Sequence, residues 1–281
     1  MQVNILISFR RCVWNYYYNL ILSIVIEGLP DSVSCTTVNK VCASGMKSVI
    51  MASLSIATGY RNVCIAGGME SMSNVPYYLP GARGGYRMGN KEVVDGMLHD
   101  GLTDAYDNIH MGLCAEQCAV DYAITREEQD KYAIMSYQRS ADTWKRGLYN
   151  DEVVPVSVKV KKETRLVTHD EEYTVMDINK IPSLKPVFKQ GGTITAGNSS
   201  KLDDGASALV VVSGRVCREL GLDPLFRIVG YGDAEIKPAK FTEAPAAAVP
   251  KALKHAGMTL RDVHYHEVNE AFAVVPIVTS R

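Results

Sequence analysis

The 281-residue sequence lacks an excess of charge of either sign: 30 Lys and Arg stand against 31 Asp and Glu, a formal net charge of -1. No general basic field is available for nucleic acid or an anionic membrane, and no local basic patch stands out. Long apolar runs are missing too. The run Val13 to Ile26 is interrupted by Asn15 and Asn19, is too short to span a bilayer as a helix, and is not followed by a small-residue cleavage site. The stretch is Tyr-rich and its basic residues are confined to Arg10 and Arg11, so a mitochondrial presequence is not evident. A disulfide framework is absent as well. Cys12, Cys35, Cys42, Cys64, Cys114, Cys118 and Cys217 are odd in number and scattered, as expected of thiols in a reducing compartment.

What is present is a globular balance, 47% hydrophobic and 22% charged, enough for one large or two ordinary domains. Punctuated α/β sequence begins at Gly28. Cys35 to Val41 is β-branched and strand-like. Residues 44 to 58 place Met46, Val49, Ile50, Leu54 and Ala57 near one helical face, with Gly59 as a stop. Val63 to Gly68 then reads as a buried strand, giving a strand-helix-strand unit and a parallel sheet with helices on its faces. Residues 71 to about 190 read as an excursion from that sheet: a Gly-rich stretch, two helices between 108 and 147, then charged strand-like sequence from Val153 to Val175. Strand signals return at Thr193 to Ala196, Ala206 to Val212, Phe226 to Tyr231 and His264 to Val268, with a helix around Ala246 to Ala256. A domain boundary is expected between Gly214 and Leu225.

Cys42 falls where a strand gives way to a helix. Unpaired N–H groups and the positive end of the helix dipole lie near such a sulfur, and Ala43, Ser44 and Gly45 leave room for a carbonyl and its oxyanion. Position alone leaves two readings open, a nucleophile or a small core residue. His110, Cys114 and Cys118, at helical i, i+4 and i+8 spacing, suit either one face of a metal site or a core stripe, without a fourth ligand pattern. His264 and His266 alternate as on a half-exposed strand. Lys159, Lys161, Lys162 and Arg165 could attract a polyphosphate, but their interleaving with Val and Thr favours a solvated strand face. Asn269 to Phe272 follow a strand-like segment, a common place for site residues in α/β folds.

Five segments together resemble the thiolase family, and within it the mitochondrial-type acetyl-CoA acetyltransferases: NKVCASGMKS (39 to 48), AGGMESMSNVPY (66 to 77), DGLTDAYDNIHMG (100 to 112), TAGNSSKLDDGASALV (195 to 210) and VNEAFAVV (268 to 275). The resemblance implies a layered αβαβα fold. Residues 1–27 would be a divergent segment, 28–217 an N-terminal domain with an inserted loop domain at about 71–190, and 218–281 the start of a truncated C-terminal domain. It also implies a ping-pong transferase that condenses two acetyl-CoA to acetoacetyl-CoA, or cleaves the product, through an acetyl-cysteine at Cys42. Asn269 would help bind an oxyanion through water, and Phe272, His110 and Met111 would line the acyl pocket. Tyr137, Lys180 and Ser200 match coenzyme A contacts, while Val175 replaces an expected Arg. A potassium site maps to Tyr137 and the carbonyls of Ala196, Gly197 and Ser199; no prosthetic group is implied.

The family resemblance further implies a homodimer or homotetramer in lipid metabolism, mitochondrial with a cytoplasmic alternative, while the charge balance and the short apolar run lead us to expect no nucleic-acid or membrane partner. The GHP and CxG motifs of the family have no counterpart after Val275, so the chain is expected to be incomplete at both ends and, as given, inactive in the carbon–carbon step. Two alternatives accompany this expectation: a non-catalytic fragment that binds coenzyme A or associates with full-length subunits, and a longer-chain 3-ketoacyl-CoA thiolase.

Overall fold

The structure is a computed structural model that describes residues 3–9, 28–30 and 32–281. The run Val13 to Ile26 and the pair Arg10 and Arg11 lie outside the described residues. The chain forms two compact units, one comprising residues to His110 with Leu202–Asp233 and Lys251–Asp262, the other Met111–Lys201, Ala234–Pro250 and Val263–Arg281. Among the described residues, no helix is long and apolar enough to cross a membrane.

The first unit is built on a four-stranded sheet. Strands β1 (Val3–Phe9), β2 (Ser34–Val38), β3 (Val63–Ser71) and β8 (Asp204–Val212) stand in the order β2-β1-β3-β8. β1 runs parallel to both β2 and β3, with Asn4 opposite Ser34 and Cys64, whereas β8 pairs antiparallel to β3, Val63 opposite Val212. Helix α1 (Ser44–Ala57) connects β2 to β3 across β1, and a small antiparallel pair, β4 (Tyr77–Tyr78) and β5 (Val94–Asp95), follows β3. Sequence reading expected the β2-α1-β3 crossover but gave β1 no role. A strand enclosed in a parallel sheet is a short continuous apolar run, which carries no alternation to reveal it.

The buried face of α1 differs from expectation. Met46 is 68% exposed and Leu54 43%, while Ser44, Ser48, Ile50 and Ala52 are buried. Small residues win because they let the helix approach the sheet closely. Ser48 Oγ lies 2.7 Å from Gly45 O and 2.9 Å from Gly67 O, and Ala52 packs with Cys64 and Ala66.

The second unit has a different core. Helices α2 (Met111–Asp121) and α3 (Arg126–Lys145) pack with α7 (Val274–Ser280), burying Ala115, Cys118, Ile194, Phe272 and Val274. Thr125 and Glu128 close a reciprocal capping box at the start of α3. The charged segment expected to be strand-like from Val153 to Val175 resolves into an exposed hairpin, β6 (Val156–Val160) and β7 (Glu163–Val167), then a short helix α4 (Glu172–Val175). Lys159, Lys161, Lys162 and Arg165 are solvated there, as expected.

Three strand expectations are corrected. Thr193 to Ala196 makes only an isolated bridge from Thr195 to Pro186, and Phe226 to Tyr231 and His264 to Val268 are irregular. β-branched composition favours an extended backbone, but a strand needs a neighbouring ladder, and among the described residues these segments have none. The helix expected around Ala246 to Ala256 is present as α6 (Ala244–Ala256), after the short α5 (Gly214–Glu219).

A Cβ added at Gly67 would sit 2.4 Å from Ser207 O across the β3-β8 ladder, whereas one at Gly84 would meet nothing within 4 Å. Gly67→Ala is expected to lower the unfolding free energy by about 1–3 kcal/mol. Gly84→Ala is expected to fall within about 0.5 kcal/mol of the parent. Urea denaturation of the two variants checks the contrast.

Candidate functional site

Cys42 is exposed in the loop between β2 and α1. Residues 39–44 are locked by their own polar groups. Asn39 Oδ1 accepts from Val41 N at 2.9 Å, and Ser44 Oγ accepts from Lys40 N and donates to Val41 O, both at 2.6 Å. The helix cap residue, Ala43, offers no side-chain cap, so the buried hydroxyl of Ser44 takes over part of the ordering. Val41 is forced to φ +49°, a left-handed conformation that a β-branched residue adopts only under constraint. Strain immediately before the candidate nucleophile fixes how its backbone enters the helix.

An ion-pair clamp secures this loop from outside. Asp233 Oδ1 accepts from Lys40 Nζ and Oδ2 from Lys47 Nζ, each at 2.6 Å, while the Asp233 carbonyl accepts from Lys251 Nζ at 2.7 Å. The hydrogen bonds from Lys40 and Lys47, with their charges, hold the Asp233 carboxyl below its ordinary range. Neither Asp233 nor Lys251 was singled out from the sequence. Lys40 belongs to a conspicuous motif, but a partner 193 positions away leaves no local signal.

His110 also lies in this unit, half-buried, bridged to Thr103 in antiparallel fashion. Burial pushes its imidazole below the ordinary histidine range, which favours the neutral form. Among the described residues no cluster of three His, Cys, Asp or Glu side chains is placed to hold a metal ion. Cys114 and Cys118 are buried, and burial pushes the Cys118 thiol up. His264 and His266 are exposed on irregular backbone.

In the second unit, the loop 193–200 is laid against α2 and α3 by buried polar groups. Glu116 accepts from Thr193 N, Thr193 Oγ1 and Ile194 N at 2.8–3.0 Å. Asn198 accepts from Thr195 N and donates to Asp130 and to Thr193 O. The loop then pairs with the segment around Phe272: Ser200 N donates to Ala271 O at 3.0 Å and Ala273 N to Asn198 O at 2.9 Å. Met111 and Phe272 thereby share one core, in which Phe272 meets the edge of Phe188 at 6.2 Å. Gly112 must lack a side chain, since a Cβ there would lie 2.4 Å from the Phe188 ring.

Asn269 is exposed, and its neighbour Glu270 is held by α3 through Tyr132 Oη at 2.9 Å and Ser136 Oγ at 2.5 Å. Among the residues matched to coenzyme A contacts, Tyr137 donates to Glu172 at 3.0 Å, Ser200 is exposed, and Lys180 is surface-exposed beside Asp177. Val175 is likewise exposed. Sequence reading missed Glu116, Asp130 and Asn198, whose signal would have been polar residues on otherwise core-facing positions.

With this geometry in place, comparison with known proteins gives the class. The thiolase N-terminal domain matches residues 23–215 and the thiolase C-terminal domain residues 222–281. The chain belongs to the thiolase family. It is 50% identical over 256 residues to an acetyl-CoA acetyltransferase of Schizosaccharomyces pombe, covering 90% of this chain and 65% of that protein. It is 51% identical over 250 residues to the mitochondrial acetyl-CoA acetyltransferase of Rattus norvegicus, covering 88% and 58%. The chain thus spans 58% to 65% of the length of these relatives. Among solved structures, the Acat5 thiolase of Ascaris suum in complex with coenzyme A superposes with a TM-score of 0.91 at 40% identity, over 99% of this chain and 71% of that one. The acetyl-CoA acetyltransferase of Syntrophomonas wolfei does so with a TM-score of 0.93 at 38% identity, over 99% and 70%.

Two outcomes test the site's framework. Asp233→Asn is expected to reduce unfolding free energy at neutral pH by about 0.5–1.5 kcal/mol, as for a partly exposed two-lysine network. Because the Asp233 carboxyl is held low, its contribution is present above the ordinary value of 3.8 and is lost as pH falls below it. The variant's stability should therefore decline less in acid, as urea titrations across pH will show. Tyr132 titrates at the opposite end: burial, then the hydrogen bond to Glu270 and its charge, pushes the phenol up to about 12. That contribution is complete below the ordinary value of 10 and is lost as pH rises through 12. Tyr132→Phe should weaken the alkaline fall in stability, measured by circular dichroism.

Proposed function

We propose that the chain carries the acyl-accepting step of an acetyl-CoA acetyltransferase, with Cys42 as the nucleophile. The observation that carries this reading is the exposed Cys42, on a strained and clamped turn opening α1, within a chain about half identical to proteins of that name. The Cys42 thiolate attacks the thioester carbonyl of acetyl-CoA. The C–S bond to coenzyme A breaks, coenzyme A leaves as the thiolate, and acetyl-Cys42 remains. Ala43 N and Ser44 N are engaged by Lys40 O and Val41 O, so the transient oxyanion would turn to the next N–H groups of α1, where Gly45 leaves open space. The full reaction would continue with a second acetyl-CoA: a base takes its α-proton, and the carbanion takes the acetyl group from Cys42 to give acetoacetyl-CoA and return the thiolate; the reverse sequence is thiolytic cleavage.

Asn269, Phe272, His110 and Met111 are the proposed acyl-side residues, and Tyr137, Lys180 and Ser200 the proposed coenzyme A contacts. The neutral His110 favoured by burial suits an apolar acyl pocket. The relatives' names favour acetyl groups over longer acyl chains, and the mitochondrial name of the rat relative supports a mitochondrial location. Association into homodimers or homotetramers completes the proposal.

Incubation with acetyl-CoA followed by peptide mass spectrometry tests the first half-reaction. One acetyl group on Cys42, abolished in Cys42→Ser, is the expected result; labelling elsewhere or none overturns the assignment. The same labelling with longer acyl-CoA donors checks chain length, with acetyl-CoA expected to acylate Cys42 faster than they do.

A further inference from the structure

Family resemblance implies a potassium ion at Tyr137 and the carbonyls of Ala196, Gly197 and Ser199, and the chain's own atoms bear on whether such an ion fits. Tyr137 Oη donates to Glu172 Oε1 at 3.0 Å. The ammonium of Lys201 lies 3.1 Å from that same oxygen and 3.5 Å from the Ala196 carbonyl. A positive charge therefore already stands at the Ala196 carbonyl and at the carboxylate to which Tyr137 donates. The backbone from which Lys201 departs is anchored, because it directly follows the loop 193–200, which Glu116, Asn198 and the pairing with Ala271 hold in place. The side chains of Lys201 and Glu172 are each about one third exposed, at 31% and 33%.

Charge and entropy both favour the tethered cation. An ammonium has three donors and can serve a carboxylate and a carbonyl together. It also loses no translational freedom on arrival, a cost that a free ion must meet. A potassium ion entering the same cluster would face a fixed like charge at short range. We infer that Lys201 supplies, as part of the chain, the positive charge that the resemblance assigns to potassium, so that the Tyr137, Glu172 and Ala196 oxygens take no monovalent metal ion.

This inference stands apart from the acyl-transfer reading, because its readouts are ion binding and amine reactivity rather than turnover. Thermal unfolding of the full chain is compared in KCl and choline chloride at matched ionic strength, where general screening is equal. The parent protein should have the same midpoint in both salts. Lys201→Thr should have a lower midpoint in choline chloride and a saturable rise with KCl, the mark of an ion bound by the folded state. A saturable, potassium-specific rise in the parent overturns the inference, as does a Lys201→Thr variant that folds but ignores KCl. The second measurement needs no variant: amine acetylation by acetic anhydride, followed residue by residue, should be slower at Lys201 than at the exposed Lys180, equally so in KCl and choline chloride. Equal rates at the two lysines, or acceleration of Lys201 by KCl alone, overturn it.

Discussion

The second unit depends on a carboxylate placed where water does not reach. Glu116 projects from α2 into the core and is satisfied by the Thr193 backbone and hydroxyl and the Ile194 backbone. A buried carboxylate without such donors would cost several kcal/mol. The loop is thus obliged to present its N–H groups at this one spot, and Gly192 must be bare, since a Cβ there would lie 2.3 Å from the Glu116 oxygen. Everything farther along the loop inherits that placement: the Asn198 turn, the pairing with Ala271 and Ala273, the seat of Phe272, and the point from which Lys201 departs.

The first unit solves a similar problem with charges nearer the surface. Its sheet and helix are joined by small residues, which bring α1 close to β3 but leave little side-chain bulk to fix the turn before the helix. Asp233 and its lysines, together with the hydroxyl of Ser44, supply that fixity. The left-handed Val41 shows that the turn is held against its own preference. An exposed thiol beside a hydrogen-bonded turn differs from one on a pliable loop, because the course of its backbone is set in advance.

Helical periodicity and turn residues made α1, α2 and α3 legible, and the segment 39–48 singled out Cys42. The limits of that reading have specific causes. Met46 and Leu54 suggested the wrong buried face because apolar spacing carries no information about how closely a helix must approach its sheet. Phe226 to Tyr231 and His264 to Val268 have strand composition, yet a strand is defined by its neighbour. Lys40 with Asp233, and Tyr137 with Glu172, are pairs of ordinary surface-type residues far apart in sequence, and only folding gives them meaning. The family match divides the chain once, between 215 and 222, while the compact units interleave along it.

The β3-β8 pairing has a kinetic side. Ser73 donates to Asp204 across 131 positions, and the whole of Met111–Lys201, the largest part of the second unit, lies within the loop so closed. Loop closure entropy grows only slowly with length, by roughly 0.6 kcal/mol per doubling, so the contact is affordable at equilibrium. Its burden falls on the rate, since distant strand pairing slows folding. The contacts of Glu116 with Thr193 lie wholly inside that loop, so forming them first shortens the stretch left to close by the 77 positions they span.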